Sequence, residues 1–154
     1  VPTPTTEPTA SENQIFEVGA ELVWEFRADF SHLPDYNPDV TDVDRIVDGD
    51  EGGAGARYRF QLADARRPGV THPVELWTVE VAKPTLVVAG MQGGNEAYEE
   101  FVIEPITRQS CRATLSLWVS LPNGLSPEVI EQATMASRQQ LRKELDLMKE
   151  VLEG

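Results

Sequence analysis

The chain has 154 residues, enough for one domain with a substantial core, and its 40% hydrophobic and 25% charged content is ordinary for a globular protein. A net charge of −13, from 13 Lys and Arg against 26 Asp and Glu, repels a phosphate backbone and argues against nucleic acid as a partner. The single cysteine, Cys111, excludes an intramolecular disulfide and a Cys-rich metal site, and no apolar run approaches the roughly 20 residues of a membrane span.

Val1–Thr9 is rich in proline and threonine and has neither the basic nor the apolar segment of a signal peptide. It is expected to be a flexible tail ahead of a domain spanning 10–154. Val1 in place of an initiator Met implies a sequence that begins inside, or was processed from, a longer chain. Acidity of this degree favours solubility, as in many bacterial cytosolic proteins, and one free cysteine is compatible with a reducing cytoplasm, the expected location. A homodimer is left open.

Residues 10–17 read as a first strand, and Val23, Trp24 and Ala28 recur at helical spacing in the segment that follows. A second short helix is expected over 30–36, stopped by Pro38. Strands then follow at Val40–Val47, Arg57–Leu62, Val74–Val81, Leu86–Met91, Ala97–Glu104 and Cys111–Leu121. The turn residues between them include Asp48-Gly49, Gly52-Gly53-Ala54-Gly55, Arg66-Arg67-Pro68-Gly69, Lys83-Pro84 and Gln92-Gly93-Gly94-Asn95. Ala113, Leu115, Leu117 and Val119 alternate with Arg112, Thr114, Ser116 and Trp118, which marks an antiparallel sheet with one wet face. At the C-terminus, Ser126 is a good N-cap, Pro127 suits the first helical turn, and the apolar line Ile130, Ala133, Ser137, Leu141, Leu145, Met148, Leu152 predicts a helix of about 27 residues, roughly 40 Å long.

The second half of that helix presents large apolar groups, whereas the first half presents Ala133, Thr134, Ala136 and Ser137. A curved sheet facing small side chains leaves space, and a void of that size is costly unless a ligand or water fills it. The open part is therefore expected near the N-terminal half of the helix. The alternative is that the short helices close it.

Val23-Trp24-Glu25-Phe26 followed by Ala28-Asp29-Phe30 and Leu33-Pro34-Asp35-Tyr36-Asn37-Pro38-Asp39-Val40 resembles the opening of polyketide cyclase/dehydrase-like proteins of the START-like (SRPBCC) superfamily. Gly52-Gly53-Ala54-Gly55-Ala56-Arg57-Tyr58 and Phe101-Val102-Ile103-Glu104-Pro105 are similar to a hairpin and a strand end of the same family. Tyr36 departs from it, standing where tryptophan is usual. The resemblance implies an α+β helix-grip fold: a curved seven-stranded antiparallel sheet around a long C-terminal helix, with two short helices after strand 1. The family includes lipid carriers, aromatic polyketide cyclases, plant hormone receptors and chaperone activators, and no catalytic motif carries across those branches.

The residues expected to line a ligand cavity are Tyr36, Tyr58, Phe60, Glu75, Trp77, Val88, Glu99, Phe101, Leu115, Leu117, Ala133 and Ser137. Trp77, Val79 and Val81 taken as inward bring Glu75 inward by alternation, and Phe101 and Ile103 bring Glu99 inward. A Glu in an apolar cavity has a raised pKa and can act as a general acid or base; the competing reading places both at strand ends, in water. Tyr58 offers a hydroxyl, and with Glu75 and Glu99 completes the catalytic candidates. The glycine run lacks the Lys-Ser/Thr ending of a phosphate loop and reads as a hairpin turn. His32 and His72 stand forty residues apart without ligand-spaced partners, so no metal and no cofactor is expected. Trp24, Trp77 and Trp118 serve chiefly in packing, although Trp118 falls on the wet face.

Three functions follow as expectations. The first is binding of a hydrophobic or amphipathic small molecule, lipid-like or polyketide-like, in an internal cavity. The second is a polyketide cyclase/dehydratase-type enzyme using cavity carboxylates. The third is a protein-interaction module presenting Trp118 with Glu144, Asp146 and Glu150 of the helix.

Overall fold

The computed structural model describes residues 7–93 and 96–154; most of the expected tail and the turn residues Gly94 and Asn95 lie outside them. Seven strands form one antiparallel sheet: β1 (Ala10–Phe16), β2 (Val40–Val47), β3 (Arg57–Ala63), β4 (Thr71–Ala82), β5 (Leu86–Gln92), β6 (Ala97–Thr107) and β7 (Ser110–Val119), in the order β1-β7-β6-β5-β4-β3-β2. Helix α1 (Ala20–Ala28), a 3-10 turn (Phe30–His32) and α2 (Leu33–Tyr36) follow β1, and α3 (Pro127–Glu153) closes the chain. Register shifts in the β2/β3, β4/β5 and β6/β7 pairings mark bulges, and bulges bend and twist a sheet so that it can wrap a helix. Among the described residues no helix is long and apolar enough to cross a membrane.

The glycine run between β2 and β3 is a turn. The Asp50 carboxylate accepts from the Gly52 and Ala54 amides, and Gly53 and Gly55 take positive φ angles of 96° and 84°. At the start of α3 the Ser126 hydroxyl accepts from the Val129 amide at 3.3 Å, as the sequence predicts of an N-cap.

The concave face is built by period-2 alternation. Tyr58 and Phe60 of β3 sit opposite Leu76 and Val74 of β4, Val87 and Ala89 of β5 opposite Phe101 and Glu99 of β6, and Phe101 and Ile103 opposite Leu115 and Ala113 of β7. Strand β4 departs from the expected phase. Val74, Leu76 and Thr78 point inward; Glu75, Trp77 and Val79 point outward. The cause is the shift between Thr78 and Glu80, beyond which Val81 returns to the core, so alternation counted back from Val81 inverts the strand.

Glu75 and Trp77 are accordingly part of the convex face. Glu75 pairs with Arg57 at 2.6 Å, and the Arg57 guanidinium lies 5.3 Å from the centre of a Trp77 ring. Trp77 lies across Gly90, where an added Cβ would come within 2.8 Å of its ring carbons. Gly90→Ala is expected to cost about 1–3 kcal/mol by overpacking this contact. Urea unfolding of the variant checks it; unchanged stability would count against the placement of Trp77.

Helix α3 packs along β1 and against α2, with Leu141, Leu145 and Met148 buried. Each such side chain contributes roughly 1.5–3 kcal/mol when fully buried. Upstream of residue 140 the helix is only partly covered: Ala133, Thr134 and Ser137 are half-buried, and Val129, Ile130 and Met135 are exposed. The helix grips through its second half.

Candidate functional site

A cavity of ≈190 Å³ lies between the concave face, α2 and the middle of α3. Its wall is mostly apolar, with Phe60, Leu76, Met91, Leu117 and Leu141 among nine apolar side chains, and it carries four polar ones, Asn37, Glu99, Gln140 and Glu144. A larger groove of ≈590 Å³ follows α3 past Met135, Arg142, Asp146 and Glu150. That groove is open and walled by solvated charged side chains. The smaller, more enclosed cavity is where buried polar groups converge, and it is the stronger candidate.

Those groups come from three elements. Arg27 follows Val23 by one helical turn, on the face of α1 that the core buries, and is 1% exposed. Glu99 is inward on β6 because Phe101 and Ile103 are. Glu144 lies three residues after Leu141 and four before Met148, on the buried stripe of α3. Arg27 Nη2 donates to Glu99 at 2.5 Å, and its Nη1 stands 3.9 Å from Glu144. The rings of Phe30, Tyr36 and Phe101 surround the guanidinium, with centroids 5.5, 5.1 and 5.1 Å from its carbon. Arg27 Nε and the Tyr36 hydroxyl are buried without a hydrogen-bond partner.

Burial pulls against the charge of Arg27, but the carboxylates of Glu99 and Glu144 outweigh it, and its pKa rises above the ordinary value. Burial lifts the Tyr36 phenol despite the neighbouring guanidinium. Burial also pushes the Glu144 carboxyl up to about 7; Arg27 opposes that rise, Glu99 adds to it, and the hydrogen bond from Gln140 at 3.1 Å opposes it. A carboxyl held near neutrality beside an apolar chamber can keep or release a proton at physiological pH, which suits either hydrogen bonding or acid/base work.

Of the expected lining residues, Phe60, Glu99 and Leu117 border the cavity. Tyr36, Tyr58, Phe101 and Leu115 are buried in the surrounding core. Tyr58 lies edge-on to Phe30, with its hydroxyl toward Asp29. Glu75 and Trp77 face outward; Val88, although buried, lies on the convex side of β5, paired with Glu80 and Glu100 between the inward Val87 and Ala89. Ala133 and Ser137 lie upstream of Gln140, so the chamber sits at the middle of α3 rather than against its first half. Among residues expected on the outside, Glu144 is buried in the chamber, Trp118 stacks edge-on to Tyr98 with centroids 5.6 Å apart, and His72 Nε2 meets Asp64 at 2.6 Å. Arg27 was not among the expected site residues at all. Its helical spacing from Val23 was the available signal, as was that of Glu144 from Leu141 and Met148.

Among the described residues no cluster of three or more His, Cys, Asp or Glu side chains could hold a metal ion. Residues 8–153 match a family described as polyketide cyclase/dehydrase and lipid transport. The fold is similar to a protein from Thermus thermophilus at 14% identity and TM-score 0.73, covering 92% of this chain and 94% of that one. It is also similar to a START superfamily protein from Mycobacterium smegmatis (20%, TM-score 0.68, 93% and 97% covered). A third similar structure is the ZhuI aromatase/cyclase from Streptomyces sp. R1128 (14%, TM-score 0.67, 94% and 92% covered). No curated protein matches the sequence.

Proposed function

Because the chain belongs to the polyketide cyclase/dehydrase and lipid transport family, we propose that it binds a hydrophobic or amphipathic small molecule in the chamber between the sheet, α2 and the middle of α3. One observation carries this reading: a partly enclosed, mainly apolar cavity of ≈190 Å³ in which Glu99, Glu144 and Gln140 gather at a buried ion pair. Drug-sized ligands occupy pockets of about 300–1,000 Å³, so this chamber suits a compact ring system, or one end of a longer molecule.

Leu117 is half-buried at the wall, and a larger side chain there fills the chamber without entering the fully buried core. Leu117→Trp is expected to weaken binding of naphthyl compounds at least tenfold while the circular-dichroism spectrum is unchanged. Titration calorimetry measures it, and equal binding by the wild type and a folded variant would place the ligand elsewhere.

A second reading, a polyketide cyclase/dehydratase-type enzyme, is favoured by Glu144, whose carboxyl near neutrality supplies an acid/base group. Glu99 would orient Arg27 against it. Glu75 and Tyr58 do not border the chamber, so this reading rests on Glu144 and Glu99.

A further inference from the structure

We infer that the ligand of this chamber carries a protonated amine at its buried end. The inference rests on the binding reading above and narrows it to a chemical class. Among the described residues the wall contains two carboxyl groups, Glu99 and Glu144, and no Lys, Arg or His. The one cation nearby, Arg27, lies behind the wall, and its Nη2 is engaged by Glu99. The groups facing Glu144 are Arg27 from α1, Tyr36 from α2, Glu99 from β6, and Gln140 on its own helix. Two carboxyls therefore share one guanidinium, and the second stands 3.9 Å from it.

The chamber is one positive charge short. In the empty protein a proton on Glu144 makes up the deficit: burial above all lifts its carboxyl to about 7, Glu99 adding to the rise and Arg27 opposing it. An alkylammonium can take the place of that proton: its N–H donates to the ionised Glu144, and the carboxyl proton leaves to solvent. A hydroxyl would gain a hydrogen bond but leave the deficit, and a carboxylate would add a third negative charge. The net charge of −13 also draws cations toward the protein.

The test is calorimetry with three probes of one carbon frame: 1-naphthylmethylamine, 1-naphthalenemethanol and 1-naphthoate. At pH 8 the amine is expected to bind at least tenfold tighter than the alcohol, with the carboxylate weakest. Between pH 8 and pH 6 the amine should lose about tenfold in affinity as Glu144 regains its proton, while the alcohol is unaffected. Glu144→Gln should remove both the amine preference and its pH dependence, with an unchanged circular-dichroism spectrum to show that the variant is folded. Alcohol or carboxylate binding as tight as the amine, or an amine affinity indifferent to pH in the wild type, overturns the inference and leaves the binding reading standing. If none of the three binds, the binding reading itself fails and takes the inference with it.

Discussion

Arg27→Met is expected to lower stability at pH 7 by about 3–5 kcal/mol, measured by urea unfolding, because it leaves a buried carboxylate without its cation. Arg27 is 1% exposed, and its Nη2 is the group that holds Glu99 at 2.5 Å. Methionine restores most of the packing between Phe30, Tyr36 and Phe101, so the loss reports charge rather than cavity. Without the guanidinium nothing opposes the burial that raises the Glu144 carboxyl above its unfolded value. The deficit of the variant should then shrink as the pH falls toward 4 and that carboxyl becomes neutral. Combining Arg27→Met with Glu99→Leu and Glu144→Gln removes every charge of the cluster and should recover most of the loss. A single variant as stable as the wild type, or a triple variant no better than the single, would contradict this account.

The second large effect concerns Glu144 alone. Its carboxyl is raised from 4.5 to about 7 in the folded state. A raised folded pKa adds stability that is fully present below the unfolded value and is lost as the pH climbs through the folded one. Relative to Glu144→Gln, the wild type should therefore lose about 3 kcal/mol between pH 4 and pH 8, at roughly 1.4 kcal/mol per pKa unit. Measuring the difference between the two proteins matters, because other carboxyls slope the opposite way. Asp64, hydrogen-bonded by His72 and by the Arg66 and Arg67 amides, is held below the ordinary range and contributes stability that disappears as the pH falls. Parallel stability curves for wild type and Glu144→Gln would show that Glu144 titrates normally.

Where the sequence could be read, the signals were local. The alternation of β7 and the cap at Ser126 each occupy a few adjacent residues and describe the same feature in the structure, and the apolar stripe of α3 does so over its second half, at Leu141, Leu145 and Met148. Glu99 was legible for the same reason, since Phe101 and Ile103 fix its face without an intervening bulge. Glu75 was not, because one irregularity between Thr78 and Glu80 reverses the sides of β4, and an extra residue in a strand leaves no mark in composition. Arg27 and Glu144 sat at core-facing helical positions. Charge normally signals a solvent face, and only a partner across the core overrides that expectation.

The chain alone determined the kinds of elements, their order and the buried faces of strands such as β6 and β7, because hydrogen bonding within a helix and alternation along a strand depend on neighbouring residues. Tertiary structure decided the phase of β4, the position of the chamber at the middle of α3, and the meeting of Arg27 with Glu99 across 72 residues of sequence, with Glu144 beside them. A buried charge is tolerated only where an opposite charge arrives from elsewhere in the fold, and no single segment contains both.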